Sequence, residues 1–330
     1  RSMLATKPLL VVACLAVACW AVPLSRNALT FEDFIVQYNR SYSQEEYAHR
    51  RAVFEANKVL VDEVNAQAGS WQAQLNEFAD LTFDEFSSRL GANGQDCDAT
   101  VRPFEELRQI PASKDWREAG VITPVKDQGV CGSCWSFSTT GCLEAHHAIK
   151  TKKLVSLSEQ NLIDCAQAFG NKGCFGGLPS QAFEYVHYNG GLDTESSYPY
   201  RGAFHREACH FNESQVGSTV SSIVNVTQND ETQILNAVGS TGPVSIAYHC
   251  SIAFQFYHKG VYSSDKCPNT PNKVNHAVLA VGYGHDEASG KDYWLVKNSW
   301  GAKWGLDGYF KIERGKNMCG LATCASYPMV

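Results

Sequence analysis

The spacing of apolar residues changes along the chain from a helical period to a strand period. Trp135, Cys142, Ala145 and Ile149 are separated by 7, 3 and 4 positions, which places them on one buried face of a helix. Later runs of β-branched and aromatic residues are short and are separated by Gly-rich turns, at 244–248, 276–283, 293–297 and 309–312. This order predicts an α+β fold in which a helical region precedes an antiparallel sheet.

A secretory signal precedes the folded regions. Met3 to Ala21 contains a basic Lys7, an apolar stretch from Leu9 to Val17 and small residues near its end. The stretch is too short to span a bilayer comfortably, and the alternative, a buried helix, would alternate with polar residues. We therefore predict a signal within residues 1–21, where Arg1 and Ser2 precede the start methionine. The destination is the lysosome, a vacuole-like compartment or the exterior.

Length and charge exclude several classes of partner. The chain has 330 residues, is 44% hydrophobic and carries a net charge of -6. A chain of this length can bury a substantial core. Because it has no excess of basic residues, it lacks the positive charge that attracts nucleic acid or an anionic membrane. No second Cys-x-x-Cys or close His pair completes a zinc site. We predict a monomeric globular protein that binds no nucleic acid, membrane, metal or cofactor.

The cysteine count requires a free thiol. Of 13 cysteines, Cys14 and Cys19 leave with the signal, so 11, an odd number, enter an oxidising compartment. At least one stays unpaired, either for an intermolecular link or as a reactive group. Sequons at Asn39, Asn212 and Asn225 are predicted glycosylation sites and agree with the secretory route.

The segment before residue 110 differs in charge and pattern from the rest. Residues 22–109 hold 15 acidic and 8 basic side chains, whereas residues 110–330 hold 19 and 18. A stripe with spacings of 4, 4, 3, 4 and 4 predicts a helix with a mixed polar and apolar face: Glu46, Arg50, Phe54, Asn57, Val61 and Asn65. The irregular stretch from Gly91 to Thr100 is typical of a boundary or processing loop, so a second domain begins near Ile110.

Cys134 has the surroundings of a nucleophile. It begins the predicted helix, where free N–H groups and the helix dipole favour a thiolate and lower the thiol pKa. Gly129 and Gly132 permit unusual backbone torsions nearby. The Cys134 N–H and the Gln128 side-chain amide can donate two hydrogen bonds to a developing oxyanion.

His276 is the predicted acid/base partner. If the runs 276–283 and 293–297 form a hairpin about a loop at 284–291, position 276 lies opposite 298 or 299. Asn298 then lies beside His276, where its amide can fix the tautomer and orientation of the imidazole. Trp300 can shield that bond from water.

Together these residues resemble the papain family of cysteine peptidases. The similarity is carried by residues 128–135, 275–284 and 298–301 and by the stripe at 46–65, with Val61 where Ile is usual. It implies a papain-like fold of two domains, a helical left domain and an antiparallel, barrel-like right domain, with the active site in the cleft between them. An inhibitory helical propeptide is expected at 22–109 and the peptidase domain at 110–330. In the companion motif at 74–80, Gln74 replaces the usual Gly.

The resemblance also implies roles for individual residues. Cys134 is the nucleophile, His276 the general acid/base, Asn298 the orienting residue and Gln128 the oxyanion donor. Gly176 and Gly177 bind the backbone of the substrate, with a plain turn as the alternative, and Trp300 is also placed at the substrate site. The implied disulfides, which leave Cys134 free, are Cys131–Cys174, Cys165–Cys209 and Cys267–Cys319.

Within the family, the runs 171–185 and 315–328 resemble cathepsin H and plant aleurain. Those enzymes retain an octapeptide from the propeptide, and residues 93–100 are similar to it, with Cys97 expected to pair with Cys324. The octapeptide would fill the non-primed cleft, and the carboxylate at Thr100 would bind the amino group of the substrate. The resemblance implies mainly an aminopeptidase with some endopeptidase activity on peptides and proteins. Its own propeptide and cystatin-type proteins are the expected inhibitors.

Other functions are also consistent with the sequence. The main alternative is a cathepsin L-like endopeptidase that lacks a retained octapeptide. A catalytically silent binding protein on the same scaffold is another, and Cys131 and Cys134 have the spacing of a dithiol oxidoreductase. For the peptidase, the acidic excess of the propeptide predicts self-activation at low pH, because protonation weakens ionic contacts.

Overall fold

The computed structural model of the chain describes residues 29–67, 69–92, 110–202 and 208–330. The predicted signal and the predicted octapeptide at 93–100 lie outside these residues. Within the described ranges, no helix combines the length and the apolarity needed to cross a bilayer. The described chain forms an N-terminal segment within residues 29–92, called the prosegment below, a helical domain and a domain built on one large sheet.

Each helix of the prosegment begins at the same kind of cap. The prosegment elements are α1 (Phe31–Gln37), α2 (Gln44–Ala66), β1 (Trp71–Ala73) and α3 (Phe83–Ser87). A Ser or Thr precedes each helix, and its hydroxyl accepts a hydrogen bond from the backbone N–H of an acidic residue three positions later. The acidic side chain accepts one from the backbone N–H of the cap in return. These bonds satisfy donors that a helix N-terminus leaves free, so each helix start is determined locally.

The middle of the predicted stripe, at Phe54, Asn57 and Val61, is confirmed as the inner face of α2, whereas Glu46 at its start is exposed. Phe54 and Val61 are fully buried, and they belong to a cluster with Phe31 and Phe34 of α1. Phe256, which lies beyond residue 110, completes the same cluster. The hydrophobic core of the prosegment is therefore closed by a residue of the part of the chain that it covers.

The helix after Cys134 is also confirmed. The helical domain contains α4 (Cys134–Thr151), α5 (Glu159–Cys165) and α6 (Pro179–Asn189). Most side chains of α4 are buried because the helix packs against α6 and against the strand β8 (His276–Asp286) of the other domain. The N-terminus of α4 thereby lies at the boundary between the two domains.

One sheet of nine described strands forms the second domain and extends into the prosegment. Besides β1 and β8 it contains β2 (Lys114–Asp115), β5 (Ser222–Asn225), β6 (Val244–Tyr248), β7 (Tyr257–Tyr262), β9 (Lys291–Lys297), β10 (Tyr309–Glu313) and β11 (Ser326–Met329). The order is β1-β7-β10-β9-β8-β6-β11-β5, with β2 added to β8. β7 and β10 run parallel, whereas the other pairs in the sheet are antiparallel as predicted. A helix, α7 (Glu231–Ser240), and a small pair, β3 (Leu192–Asp193) with β4 (Val216–Ser218), complete the regular elements.

The hairpin that carries His276 differs from the predicted one. Its strands continue to Asp286 and resume at Lys291, so much of the predicted loop at 284–291 is strand. Leu279 consequently pairs with Lys297, a shift of one to two positions from the predicted alignment. The prediction was wrong because the end of this hairpin is largely exposed, where polar residues are compatible with a strand as well as a turn.

A buried network of charges joins the two domains. Lys126 Nζ lies 3.1 Å from Glu144 Oε1 and 2.7 Å from Glu159 Oε1. Lys297 of β9 donates from Nζ to the Thr123 carbonyl at 2.7 Å, and Thr123 Oγ1 donates to Glu144 at 2.5 Å. Removing one member would leave a buried charge unpaired, so the network favours a single arrangement of the domains.

Asn57 is predicted to be a major determinant of prosegment stability. Its buried Nδ2 donates to the carbonyls of Ala79 and Leu81 at 2.9 and 3.0 Å. We expect Asn57→Ala to destabilise the prosegment by about 1–3 kcal/mol, because both acceptors lose their partner. Urea titration with hydrogen exchange over residues 29–92, carried out in a Cys134→Ala background, measures this. Glu55→Ala on the exposed side of α2 is the control, and equal stability of the two variants would contradict the prediction.

Candidate active site

Cys134 begins α4 and is completely buried beneath the prosegment. Its Sγ accepts hydrogen bonds from the backbone N–H of Gly91 at 3.3 Å and of Ala277 at 3.4 Å. Gly91 belongs to the prosegment and Ala277 follows His276 on β8. The sulfur therefore lies where the helical domain, the sheet domain and the prosegment meet.

The tautomer of His276 follows from its neighbours. Its Nε2 lies 2.9 Å from Asn298 Oδ1. The same Oδ1 accepts from the backbone N–H of Ser299 at 2.8 Å, which identifies that atom of Asn298 as the oxygen. Nε2 must then carry the hydrogen, and the neutral ring keeps its lone pair on Nδ1, which is buried and has no hydrogen-bond partner among the described residues. The Trp300 ring stacks on the imidazole with centroids 4.6 Å apart and covers this bond.

Burial keeps both groups neutral in this covered state. Removal from water raises the pKa of the Cys134 thiol to about 11 and lowers the pKa of the His276 imidazole to about 4, against the opposing effect of the Asn298 bond. Both shifts disfavour the charged forms, as expected for groups in a low-dielectric site. A thiolate–imidazolium pair is thus disfavoured while the prosegment is in place.

Gln128 is oriented by a residue that sequence reasoning missed. The Ser299 hydroxyl donates to Gln128 Oε1 at 2.6 Å, so the amide nitrogen faces the cleft. Nε2 donates to the Cys131 carbonyl at 2.8 Å and to the Arg89 carbonyl of the prosegment at 2.7 Å. A prosegment carbonyl therefore occupies the donor that was predicted to bind the oxyanion. The adjacency of Ser299 to Asn298 was the available signal, but a serine alone does not indicate this contact.

The prosegment crosses the cleft through a gap that fits glycine. The Gly91 carbonyl accepts from the Gly177 N–H at 2.9 Å, and a Cβ at Gly91 would lie 1.7 Å from the Gly132 oxygen. Gly177 is equally confined, since a Cβ there would lie 2.5 Å from the Trp135 ring. Gly176 has a φ of 113°, which favours glycine. The predicted strip at Gly176 and Gly177 thus binds a peptide backbone, here that of the prosegment.

Aromatic residues of the prosegment cover the histidine side of the site. Phe78 and Phe86 meet the Trp300 ring edge to face, with centroids 6.1 and 5.1 Å apart. Asn76 Nδ2 also donates to the Gln255 carbonyl of the peptidase domain at 2.7 Å. Trp300 is therefore shared between the imidazole below it and the prosegment above it.

Three disulfides have both cysteines among the described residues, and one of them restrains the cleft. Cys131–Cys174 connects the Gln128 loop to the Gly176–Gly177 strip, with a Cα–Cα distance of 4.8 Å. The other two are Cys165–Cys209 and Cys267–Cys319. The described cysteines that stay free are Cys134, Cys142 and Cys250, all buried. Cys324 is disulfide-bonded, but Cys97 and Thr100 lie outside the described residues, so their predicted roles stay predictions.

One alternative to the predicted peptidase site fails on this geometry. Cys131 is bonded to Cys174 and not to Cys134, so the dithiol interpretation is wrong. Within the described ranges, no group of three or more His, Cys, Asp or Glu side chains is arranged to hold a metal ion.

The three sequons differ in accessibility. Asn39 and Asn212 are exposed. Asn225 is buried within β5, where it is 8% exposed and opposite Ser326 of β11. Its burial argues against glycosylation at Asn225 in the folded protein, whereas glycosylation at Asn39 and Asn212 stays a prediction.

Gly91 provides a test of how the prosegment protects Cys134. We expect Gly91→Ala to displace the chain from the cleft, because the new Cβ cannot lie against the Gly132 carbonyl. The rate of Cys134 alkylation in the zymogen should rise by about tenfold or more, measured by peptide mass mapping. Gly69→Ala, where a Cβ meets nothing within 4 Å, is the matched control. Equal alkylation of both variants and the parent would show that Gly91 does not close the site.

Comparisons with known proteins agree with this geometry. Residues 110–329 match the papain family cysteine protease, and residues 31–86 match the cathepsin propeptide inhibitor domain. The thiol protease aleurain of Arabidopsis thaliana is 52% identical over 310 residues, which are 93% of this chain and 85% of that protein. Pro-cathepsin H of Bos taurus is 50% identical over 320 residues, 95% of this chain and 94% of that protein.

The same likeness holds in three dimensions. The structure of digestive procathepsin L 3 of the Tenebrio molitor larval midgut matches with a TM-score of 0.82 at 39% identity, over 91% of this chain and 97% of that one. The papain-like α+β fold with a propeptide, expected from the sequence, is thereby confirmed. The chain belongs to the papain family of cysteine proteases and carries a cathepsin-type propeptide inhibitor domain.

Proposed function

We propose that this cysteine protease cleaves peptide bonds with Cys134 as nucleophile and His276 as general acid and base, mainly as an aminopeptidase of the secretory pathway. The observation that carries the proposal is the free thiol at the start of α4, beside an imidazole whose tautomer is fixed by Asn298. Residues 22–109 are the proposed inhibitory propeptide and 110–330 the peptidase domain.

The chemistry follows from these positions. The Cys134 thiolate attacks the carbonyl carbon of the substrate, and the carbonyl electron pair moves to an oxygen that receives a hydrogen bond from Gln128 Nε2. The imidazolium gives its proton to the departing amine, which leaves a thioester on Cys134. Neutral His276 then takes a proton from water, and the resulting hydroxide attacks the thioester carbon. The C–S bond breaks, the acid leaves, and the Cys134 thiolate and the His276 imidazolium are restored. Throughout, Asn298 holds the ring without removing its Nε2 proton.

Release of the prosegment would activate the site in two ways. Departure of Arg89 and Gly91 frees the Gln128 amide and the Gly177 backbone for substrate. Water also re-enters the site, which lowers the pKa of the thiol and raises that of the imidazole from their buried values. The helix dipole of α4 then favours the thiolate.

The aminopeptidase assignment is supported by two observations. Relatives named pro-cathepsin H and aleurain align over more than nine-tenths of the chain at about half identity. Cys324 is disulfide-bonded, as a covalently retained octapeptide requires. A cathepsin L-like endopeptidase is the second candidate, favoured by the fold match to procathepsin L 3.

Matched fluorogenic amides with a free and a blocked amino terminus test the assignment. We expect the acid-matured enzyme to prefer the free terminus by about tenfold or more, because a bound carboxylate attracts the amine and the octapeptide excludes longer chains. Cys324→Ser should lose this preference, whereas Cys142→Ser, a buried free cysteine, should keep it. Equal or better cleavage of the blocked amide by the parent enzyme would identify an endopeptidase. No cleavage of either would identify a binding protein, with Cys134→Ala as the blank.

Acid activation is expected to act on the prosegment itself. Its described ion pairs, Arg40–Asp80, Arg50–Glu85 and Arg51–Glu32, are internal to it. The hydrogen bond from Arg50 lowers the pKa of the Glu85 carboxyl. A lowered folded-state pKa contributes stability above the ordinary carboxyl pKa, and that stability is lost as pH falls through the lowered value. Glu77 opposes this effect, because burial raises its pKa.

Glu85→Gln is therefore expected to mature faster near neutral pH and to depend less on pH than the parent. Glutamine keeps the shape of the side chain but cannot form the ion pair with Arg50. The measurement is the rate of prosegment loss on gels from about pH 4 to about pH 7. Glu55→Gln on the exposed side of α2 is the control. An unchanged pH profile for Glu85→Gln would exclude this ion pair as a trigger.

A further inference from the structure

The prosegment residue Arg89 binds the Gln128 loop through both its backbone and its side chain, and the position of its side chain is called the Arg89 seat below. Its carbonyl accepts from Gln128 Nε2 at 2.7 Å, and its Nη1 donates to the Gly129 carbonyl. The guanidinium lies over the Phe78 ring, 4.8 Å from the centroid. A cationic side chain of this protein is thus bound next to the proposed oxyanion donor.

Asp127 supplies negative charge at the same seat. Its Oδ1 accepts from the Gly129 N–H at 2.9 Å, so the carboxylate is held at the backbone of the residue whose carbonyl binds Arg89. Burial lowers the pKa of the Arg89 guanidinium, and the charge of Arg40 acts in the same direction, whereas the charges of Asp127 and Glu77 oppose this shift and favour the cation. Glu77 and Arg40 leave with the prosegment, whereas Asp127 belongs to the peptidase domain and is exposed.

Asp127 lies on the side of Cys134 where the leaving group departs. Its backbone pairs with Trp300, whose ring stacks on His276. Its carboxylate also lies close to Gly301, since a Cβ on Gly301 would be 3.4 Å from Oδ2. His276 protonates the departing amine, so the substrate residues after the scissile bond lie on the histidine side of the sulfur.

We propose that Asp127 gives the enzyme a preference for substrates with Arg or Lys at the first or second position after the scissile bond. In the mature enzyme such a side chain takes the seat of Arg89, donates to the Gly129 carbonyl and is attracted by Asp127. The inference rests on the proposed function, because it requires peptide hydrolysis with this orientation of the substrate. An exposed ion pair is weak in water, so the preference is about three- to tenfold and declines with added salt.

Internally quenched peptides with a free amino terminus provide the test. They carry Arg, norleucine or Glu at each of the two positions, and product masses identify the bond cleaved. The ratio of kcat/KM values for Arg and norleucine is taken within each enzyme, so a change in overall rate cancels. Asp127→Asn retains an acceptor for the Gly129 N–H and removes the charge, Asp127→Lys reverses it, and Glu118→Gln is a control with the same charge change at an exposed site.

The parent enzyme and Glu118→Gln are expected to favour Arg by about three- to tenfold, Asp127→Asn to show no preference, and Asp127→Lys to favour Glu. An aminoacyl amide with no residue after the cleaved bond distinguishes a failure of the Asp127 proposal from a failure of the proposed function. If the parent cleaves this amide but does not favour Arg, or if Asp127→Asn keeps the preference, the role of Asp127 is overturned and the proposed function stands. If neither the amide nor the peptides are cleaved, both are overturned.

Discussion

The site exists only where α4 meets β8. The backbone N–H of Ala277 donates to the Cys134 sulfur, although the two residues are 143 positions apart in the sequence. Ser138 holds the same contact, because its hydroxyl donates to the Val278 carbonyl at 2.7 Å and lies 2.5 Å from the Ser245 hydroxyl. Directional bonds of this kind specify one alignment, whereas apolar contacts alone tolerate sliding. The imidazole, its amide partner and the covering tryptophan all depend on that alignment.

Inhibition by the prosegment has a chemical component as well as a steric one. The chain through Gly91 fills the cleft, and the same coverage removes Cys134 and His276 from water. A charged pair is costly in such a site, so Cys134 and His276 stay neutral while the prosegment covers them. The inhibitor therefore needs no special group of its own at the sulfur; a backbone N–H and a lack of solvent are sufficient.

Periodicity and local motifs predicted most of the elements, while contacts between distant segments were harder to predict. The bounds of β6 match the predicted run at 244–248, and α2 and α4 appear where their stripes place them. The partnership of His276 with Asn298 was predicted although the assumed hairpin loop was too long. Spacing identifies which face of a segment is buried but not what covers it. The path of Gly91 and the contact of Ser299 with Gln128 were therefore missed, and the sequon at Asn225 gave no sign of its burial.

Because β1 is the last strand of the sheet, removal of the prosegment exposes a new sheet edge. β1 pairs with β7, so removal of the prosegment turns β7 into an edge strand with free backbone donors and acceptors. Such an edge is a template for aggregation, and native proteins often protect it with charge or irregular backbone. β7 contains Lys259 and then Gly260 at a φ of 89°, both unfavourable for a regular added strand. Until cleavage, β1 of the prosegment covers this edge of the sheet. After cleavage, the charge and the irregular backbone within β7 disfavour pairing with a second molecule.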